Sequence, residues 1–311
     1  MSTFNTDIKS LFDLAERFPT EDSCIEYLEK LFWGDELPQS PFDNTSKVYK
    51  CKNHKYKCKN TGKYFNVRTG TMYDSSNIKL RKWFMAVWLV TTHKKGIASL
   101  QLAKDINVTQ ATAWFMLQRI RAAYGIENCA QLDGIVEADE AMVGGKQKNR
   151  HKNKRLQGTG GRSTVDKDAV FGMAQRDGKI VVLAVKDCDA STLQPIIKKY
   201  VSKDSLLITD SWNGYNGMDS HCNHYMIKDQ EHGYKHDYNP EIHTNCIEGA
   251  WKHMKASVSG MYNHVSRKHL QLYLDEFVYR HNMRKLPTSD QFNWLVANSN
   301  VRTKYKDLVN G

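Results

Sequence analysis

The stretch LDGIVEADEAMVGG, residues 132–145, alternates apolar and polar side chains like a β-strand and carries acidic residues along its length. The next segment, DAVFGMAQRDGKIVVLAVKD (168–187), has two apolar runs joined at Asp177-Gly178, a pair that predicts a hairpin. ASTLQPIIKKYV (190–201) has a helical pattern, and SLLITD (205–210) is a short apolar strand. The order strand, strand, strand, helix, strand predicts an α/β sheet.

Two acids of this sheet are candidate ligands of a divalent metal. Asp139 lies on the first strand, and Asp210 closes the last one. Functional groups of open α/β sheets lie beyond the strand ends. With an acid from a later helix, the two could hold two Mg²⁺ or Mn²⁺ ions about 3.5–4 Å apart, as in phosphoryl transfer. Glu137 and Glu140 flank Asp139, and we expect both to lie on the opposite strand face and to be non-catalytic.

The segment HTNCIEGAWKHMK, residues 243–255, predicts a helix that supplies this later acid. Asn245 and Glu248 are one turn apart on the same face. A carboxylate binds a hard cation better than an amide oxygen, so we predict Glu248 as the third ligand with Asn245 assisting beside it. Lys252 and Lys255, on the following turns, would contact phosphate groups of the substrate. The alternative is an ordinary amphipathic helix.

The charge of the chain favours a polyanionic partner. The 311 residues include 45 Lys and Arg against 34 Asp and Glu, a net charge of +11 with a pI near 9.2. Basic side chains that contact phosphates release condensed counterions. No apolar run reaches the roughly 18 residues that a membrane span requires, and we expect no membrane partner. Seven scattered cysteines and an N-terminus without a signal-peptide pattern predict a protein of the reducing cytosol.

Basic residues are concentrated in GGKQKNRHKNKRLQGTGGR, residues 144–162, which lacks apolar periodicity. This pattern predicts a loop that grips phosphates, although a solvated charged loop is the alternative. The residues predicted to contact DNA are Lys146, Lys148, Arg150, Lys152, Lys154 and Arg155.

The N-terminal part of the chain predicts three segments. Residues 1–34 are helical, residues 35–75 are irregular or β-rich, and residues 76–125 are again helical. In the middle segment Cys51, His54 and Cys58 are possible zinc ligands, but a structural site needs four ligands, and Thr61 stands where a CxxC pair would end. Zinc binding and a metal-free hairpin both stay open, and the ligand count favours the hairpin.

Two short helices within residues 76–125 fit a helix-turn-helix. Leu100–Ile106 forms the first, and Thr109 is a plausible N-cap for the second. Gln110 and Thr112 could then reach base edges, and Arg119 and Arg121 could contact phosphates. A helical hairpin without DNA contacts is the alternative.

Five stretches together resemble the bacterial insertion-sequence transposases related to eukaryotic Merlin elements, the ISXO-like group. They recur in order over about residues 20–285. The stretches are GTMYDSSNIKLRKWFMAVWL (70–89), KKGIASLQLAKDINVTQATAWFMLQRIR (94–121), ADEAMVGGK (138–146), TDSWNGY (209–215) and HTNCIEGAWKHMKASVSGMYNHVSRKHLQLYLDEFVYRHNMR (243–284).

The resemblance implies an RNase H-like catalytic domain over residues 132–285, followed by a tail over 286–311, with a zinc ribbon and a helix-turn-helix that recognise transposon ends. It implies Asp139 and Asp210 as the first two catalytic acids. Family members place a third acid or an Asn about 35 residues later. Asn245 leaves 34 intervening residues and Glu248 leaves 37, so spacing slightly favours Asn245 and chemistry favours Glu248. The ribbon cysteines are incomplete here.

The residues and the resemblance together imply a DDE-type transposase that binds element ends and target DNA as a homodimer or larger assembly. Two Mg²⁺ or Mn²⁺ ions would be its cofactors, and it would act at the nucleoid, or in the nucleus of a eukaryotic host. A non-catalytic DNA-binding protein derived from a transposase is the alternative, and a nuclease that cuts without joining is a third reading.

Overall fold

The computed structural model describes residues 8–144, 167–227, 242–262 and 265–310. The chain divides into two compact units. The first combines the residues up to Tyr124 with those from Lys285 onward, and the second is Gly125–Arg284. Within the described ranges, no helix has both the length and the apolar character needed to cross a bilayer. The finer domain boundaries given above remain predictions.

The first unit begins with helices and a small antiparallel sheet of three strands, in which each strand pairs with the next one along the chain. The predicted N-terminal helical segment is two helices separated at Pro19, because proline lacks the N–H that a continuous helix requires. Each starts with its own capping box, at Ser10 and at Thr20. The elements are α1 (Leu11–Arg17), α2 (Glu21–Trp33), β1 (Val48–Lys50), β2 (Tyr56–Cys58), β3 (Tyr64–Phe65), α3 (Leu80–Thr92), α4 (Ser99–Asp105) and α5 (Gln110–Tyr124).

The second unit is a mixed α/β fold around a five-stranded sheet. Its elements are β4 (Ile135–Val143), β5 (Asp168–Gln175), β6 (Ile180–Val185), α6 (Ala190–Tyr200), β7 (Leu206–Asp210), β8 (Asn223–Ile227), α7 (Asn245–Ser257) and α8 (Leu270–Asn282). The strand order is β6-β5-β4-β7-β8. β4, β5 and β6 pair antiparallel, which confirms the predicted hairpin, whereas β7 runs parallel to both β4 and β8. The chain then returns to the first unit with α9 (Thr288–Ala297) and α10 (Tyr305–Asn310).

Helices cover both faces of this sheet, so that alternate residues of β4 enter two different cores. Val136 and Ala138 pack in the cluster that contains Leu193 and Ile197 of α6. Ala141 and Val143 pack in the cluster that contains α7 and α8. Odd-numbered residues of β4 therefore face α7, as expected from the two-residue period of a strand.

Helix α7 approaches β5 closely at Gly172. A Cβ atom at this position would lie 2.4 Å from Cη2 and 2.7 Å from Cζ2 of the Trp251 ring. Gly172 also pairs with Asp139 across the β4–β5 ladder. The absence of a side chain at residue 172 therefore lets the indole lie against the sheet beside Asp139.

Gly172→Ala is expected to lower the free energy of unfolding by about 1–3 kcal/mol, because the added methyl group must displace a buried indole. Urea unfolding followed by circular dichroism measures the change. Gly249→Ala in α7 is the matched control, since a Cβ there meets nothing within 4 Å. The control should be neutral or stabilising by up to about 1 kcal/mol. Equal effects of the two substitutions would contradict the close packing of Trp251.

Candidate active site

Three carboxylates converge where β7 ends beside β4. Oxygen atoms of Asp139, Glu140 and Asp210 all lie within 4.8 Å of one another. Among the described residues, this is the only group of three or more His, Cys, Asp or Glu side chains with a geometry that could hold a metal ion. The predicted pair of acids is thus adjacent, and Glu140 joins them.

The strand register explains why these acids meet. β4 and β7 are parallel neighbours in which Glu137 pairs with Ile208. Two residues further along both strands, Asp139 comes level with Asp210, the last residue of β7. β4 continues to Val143, but β7 ends at Asp210 and no longer pairs with β4 beyond that residue. Side chains from both faces of β4 can therefore reach the space next to the end of β7.

The cluster is electrostatically unfavourable without a cation. Burial, together with the negative charges of Glu248 and Asp210, raises the pKa of Asp139 to about 6. The indole Nε1 of Trp251 donates a hydrogen bond of 2.8 Å to Oδ2 of Asp139, which acts in the opposite direction. Like charges held together at low dielectric favour either a proton or a metal ion.

Each carboxylate of the cluster is oriented by a hydrogen bond from its surroundings. The Trp212 backbone N–H donates to Oδ1 of Asp210 at 3.0 Å, while the Trp212 indole donates to the Cys188 carbonyl at 2.8 Å. The hydroxyl of Tyr215, a fully buried residue, donates to Oε1 of Glu140. Burial and the Glu140 charge raise the pKa of Tyr215 well above its usual value, so it remains a donor.

Of the two glutamates expected on the face opposite Asp139, Glu140 lies there, whereas the expectation for Glu137 was wrong. Glu137 and Asp139 are two residues apart, and both bind groups of α7. Glu140 points to the other face, toward Tyr215, and still reaches the cluster. The period of two along a strand would have placed Glu137 correctly, but only the end of β7 reveals that Glu140 can join the site.

The helix predicted to supply a third ligand is present as α7. Glu248 is half-buried, and its charge acts on Asp139, although it is not one of the three clustered residues. Asn245 is the first residue of α7, and its side chain is exposed. Lys252 and Lys255 are exposed on the outer face of the helix. Ile247, Trp251 and Met254 form its buried face, as expected of an amphipathic helix.

A buried carboxylate, Glu137, holds the N-terminus of α7 against the sheet. Its Oε2 accepts hydrogen bonds from the backbone N–H groups of Cys246 at 2.7 Å and Ile247 at 3.2 Å. Its Oε1 lies 2.8 Å from Nη2 of Arg176 and 3.2 Å from Nδ1 of His243. The side chain of Glu137 is completely shielded from solvent. A negative charge at a helix N-terminus also interacts favourably with the helix dipole.

Two of the predicted phosphate contacts in the first unit are contradicted. Arg119 and Arg121 are only 4% and 1% exposed. The Arg119 guanidinium donates to the backbone carbonyls of Met72, Asp74 and Thr303. These arginines are therefore part of the interior, because every residue of α5 from Met116 to Arg121 is buried. The predicted DNA-binding residues of the basic loop, from Lys146 to Arg155, lie outside the described residues.

The remaining predictions for the first unit have mixed outcomes. The Thr109 hydroxyl accepts a bond of 3.3 Å from the Thr112 N–H, as predicted for an N-cap. Gln110 is exposed, and Thr112 is half-buried. Cys51, His54 and Cys58 do not form a metal cluster in the described part of the chain. His54 instead lies 3.7 Å from Asp22 and 3.5 Å from Glu29.

Glu137→Gln is expected to lower the free energy of unfolding by about 3 kcal/mol, because Arg176 loses a buried partner and the α7 terminus loses its charge. Urea unfolding in the presence of a chelator measures this change without any metal contribution. The control is Asp168→Asn, which breaks a 2.7 Å pair with Arg267, whose side chain is 65% exposed. That change should cost less than about 1 kcal/mol. A similar small cost for Glu137→Gln would refute its role as an anchor.

Comparisons with known proteins identify the family of this chain. A family model described as an ISXO2-like transposase domain matches residues 131–282. An uncharacterized transposase-like protein of Haemophilus influenzae is 31% identical over 106 residues, which cover 33% of this chain and 81% of that protein. An uncharacterized protein in transposable element ISH50 of Halobacterium salinarum is 28% identical over 245 residues, 75% of this chain and 80% of that protein.

Among solved structures, a pre-cleavage Mos1 transpososome aligns with a TM-score of 0.26 and 13% identity, over 94% of this chain and 97% of that chain. A superposition this loose adds nothing to the assignment, which rests on the sequence matches alone. The chain belongs to the ISXO2-like family of insertion-sequence transposases.

Proposed function

We propose that this protein is a DDE-type DNA transposase, which binds the ends of its insertion sequence, cuts them and joins them to target DNA. The observation that carries the proposal is the convergence of Asp139, Glu140 and Asp210 within 4.8 Å, where β7 ends beside the middle of its parallel neighbour β4. The sheet order, with an antiparallel β4-β5-β6 half joined to the parallel strands β7 and β8, supports an RNase H-like catalytic domain. Membership of the family is consistent with both.

The donor set suits hard divalent cations. All candidate ligands are oxygen atoms, the type preferred by Mg²⁺ and Mn²⁺. The raised pKa of Asp139 reflects burial and like-charge repulsion, which a cation would relieve. We assign Asp139, Asp210 and Glu248 as the metal ligands, with Glu140 added to them and Asn245 assisting. The charges of both Asp210 and Glu248 act on Asp139, which supports its place among the residues that would hold the metal.

Bound metal ions would activate a water or a 3′-hydroxyl as the nucleophile and stabilise charge on the leaving oxygen. The protein holds the ligands in position for this chemistry. Trp251 fixes one oxygen of Asp139, the Trp212 N–H fixes one oxygen of Asp210, and Tyr215 fixes Glu140. Ligands oriented by such neighbouring groups lose little freedom when the metal binds.

Other residues would bind the DNA. Lys252 and Lys255 are exposed one and two turns beyond Glu248, where they can contact phosphates near the cleaved bond. Gln110 and Thr112 remain the proposed base-reading residues of α5. The six basic residues of the loop from Lys146 to Arg155 would add phosphate contacts. Because two element ends must be brought together, we propose that a homodimer or larger assembly forms on DNA.

Addition of Mn²⁺ or Mg²⁺ should raise the melting temperature of the protein, because a ligand that binds only the folded state stabilises it. Asp139→Asn should abolish this rise. In a chelator the same variant should be more stable than the wild type by about 1 kcal/mol, since a carboxyl with a raised pKa opposes folding when ionised at neutral pH. Asn can still accept the Trp251 hydrogen bond.

Asp204→Asn, at an exposed position of the same unit, is the control and should change neither value. An unchanged metal response in Asp139→Asn would show that the ion binds elsewhere. This measurement requires no DNA and no turnover, so it tests the metal site independently of the reaction.

The activity test is Mg²⁺-dependent cleavage and joining of DNA that carries the ends of the element. Asp210→Asn should lower the rate by at least about 10²-fold while leaving DNA binding intact, because it removes a charged ligand of the ions that stabilise the transition state. Glu248→Gln should be similarly impaired, and Asn245→Ala should retain measurable activity. Glu140→Gln tests the additional carboxylate in the same assay.

The other outcomes identify the alternatives. Loss of activity in Asn245→Ala with full activity in Glu248→Gln would reverse the assignment of the third ligand. Cleavage without joining would indicate a nuclease. Salt-sensitive binding of the ends by a wild-type protein that never nicks them would indicate a non-catalytic DNA-binding protein.

A further inference from the structure

The three-stranded sheet of the first unit has one buried face and one exposed face. Val48, Tyr56 and Phe65 are buried and pack against Trp33. The neighbouring residues along the strands point the other way. Tyr49 is 43% exposed and Tyr64 is 58% exposed. Two large rings therefore lie on a solvent-facing sheet surface that the core does not use.

Register places these rings in one row with a lysine between them. Tyr49 pairs with Lys57 across β1 and β2, and Lys57 pairs with Tyr64 across β2 and β3. Directly paired residues of adjacent strands project from the same face. With neighbouring strands about 4.8 Å apart, the two tyrosines are about 10 Å apart, with Lys57 in the gap.

The surroundings of this row are strongly basic. Residues 47–63 contain seven lysines and no Asp or Glu. The Lys57 ammonium lies 5.5 Å from the centre of the Tyr64 ring, and the Lys47 ammonium lies 5.7 Å from the centre of the Tyr49 ring. An aromatic surface surrounded by positive charge is complementary to a polyanion that also presents flat, apolar groups.

We propose that this surface, formed by Tyr49, Lys57 and Tyr64 with Lys47, binds single-stranded DNA by stacking unpaired bases on the two tyrosine rings. Lysines alone would suffice for the phosphates of a duplex, in which the bases are already stacked on each other. Exposed rings gain stacking energy only from bases that have left the duplex. Lys57 and Lys47 would contact the phosphates between the stacked nucleotides.

The inference extends beyond the proposed function, because it concerns the first unit and requires neither metal nor cleavage. Its failure would leave the active-site assignment untouched, and an inactive active site would leave this surface able to bind. The unpaired bases could be those exposed at a cut or melted DNA end.

The test uses the full-length protein in a chelator and measures the fluorescence anisotropy of two labelled probes. One probe is oligothymidine of about 20 nucleotides, long enough to cover a typical single-strand site, and the other is a mixed-sequence duplex of about 20 base pairs. The variant Tyr49→Ala/Tyr64→Ala should raise the Kd for oligothymidine about tenfold or more through loss of two stacking contacts. Its Kd for the duplex should stay within about twofold.

Three further variants separate stacking from other effects. Tyr49→Phe/Tyr64→Phe should bind oligothymidine like the wild type, because the rings are retained. Phe12→Ala removes a ring that is 72% exposed outside the sheet and should have no effect. Lys57→Ala should weaken the binding of both probes. It should also reduce the salt dependence of binding by the equivalent of about one phosphate contact.

Two results would overturn the proposal. The first is unchanged oligothymidine binding in the double alanine variant, which would leave this face to another partner, such as an acidic protein. The second is an equal loss for both probes, which would mean that the surface does not distinguish unpaired bases. Thermal unfolding of each variant shows whether such a loss arises from an unfolded first unit.

Discussion

The carboxylate of Glu137 is the point on which the geometry of the second unit depends. It is buried on the central strand β4, and it accepts hydrogen bonds from the first N–H groups of α7 as well as from Arg176. Burying a charge is costly unless it is paired and hydrogen-bonded, and Glu137 meets both conditions. Because Asp139 follows two residues later on the same face, one short stretch of strand carries a candidate catalytic acid and fixes the helix that brings Glu248 toward it.

The cluster of Asp139, Glu140 and Asp210 differs from Glu137 in how its charges are arranged. Here like charges approach one another, and the pKa of Asp139 rises to about 6. The hydrophobic cores on the two sides of the sheet stabilise the fold against this repulsion. Gly172 contributes by letting the Trp251 indole reach Asp139. Because these carboxylates are already held together, they could hold a cation with little rearrangement.

Local patterns were sufficient for strands β4 to β7, the hairpin at Asp177-Gly178 and helix α7, since each depends on short-range periodicity and turn residues, but β8 was not predicted. Asp210 ends β7 as predicted, whereas Asp139 lies in the middle of β4, so the two acids meet because β4 and β7 are parallel neighbours in register. Burial was harder to predict. Arg119 and Arg121 look like surface cations in the sequence, yet α5 directs them inward, where Arg119 binds three backbone carbonyls. Glu140 was missed because its place in the cluster depends on where the neighbouring strand β7 ends.

Spacing along the chain has limited value for deciding whether Asn245 or Glu248 is the third ligand. The number of residues after Asp210 slightly favours Asn245, but the helix does not start at a fixed distance from the strand. Its start is fixed by Glu137, which binds the N–H groups of Cys246 and Ile247 and so makes Asn245 the exposed first residue. Glu248 then follows almost one turn into the helix, where its charge acts on Asp139. The position of the buried anchor, rather than the number of residues after Asp210, therefore determines where the polar residues of α7 lie relative to the carboxylates.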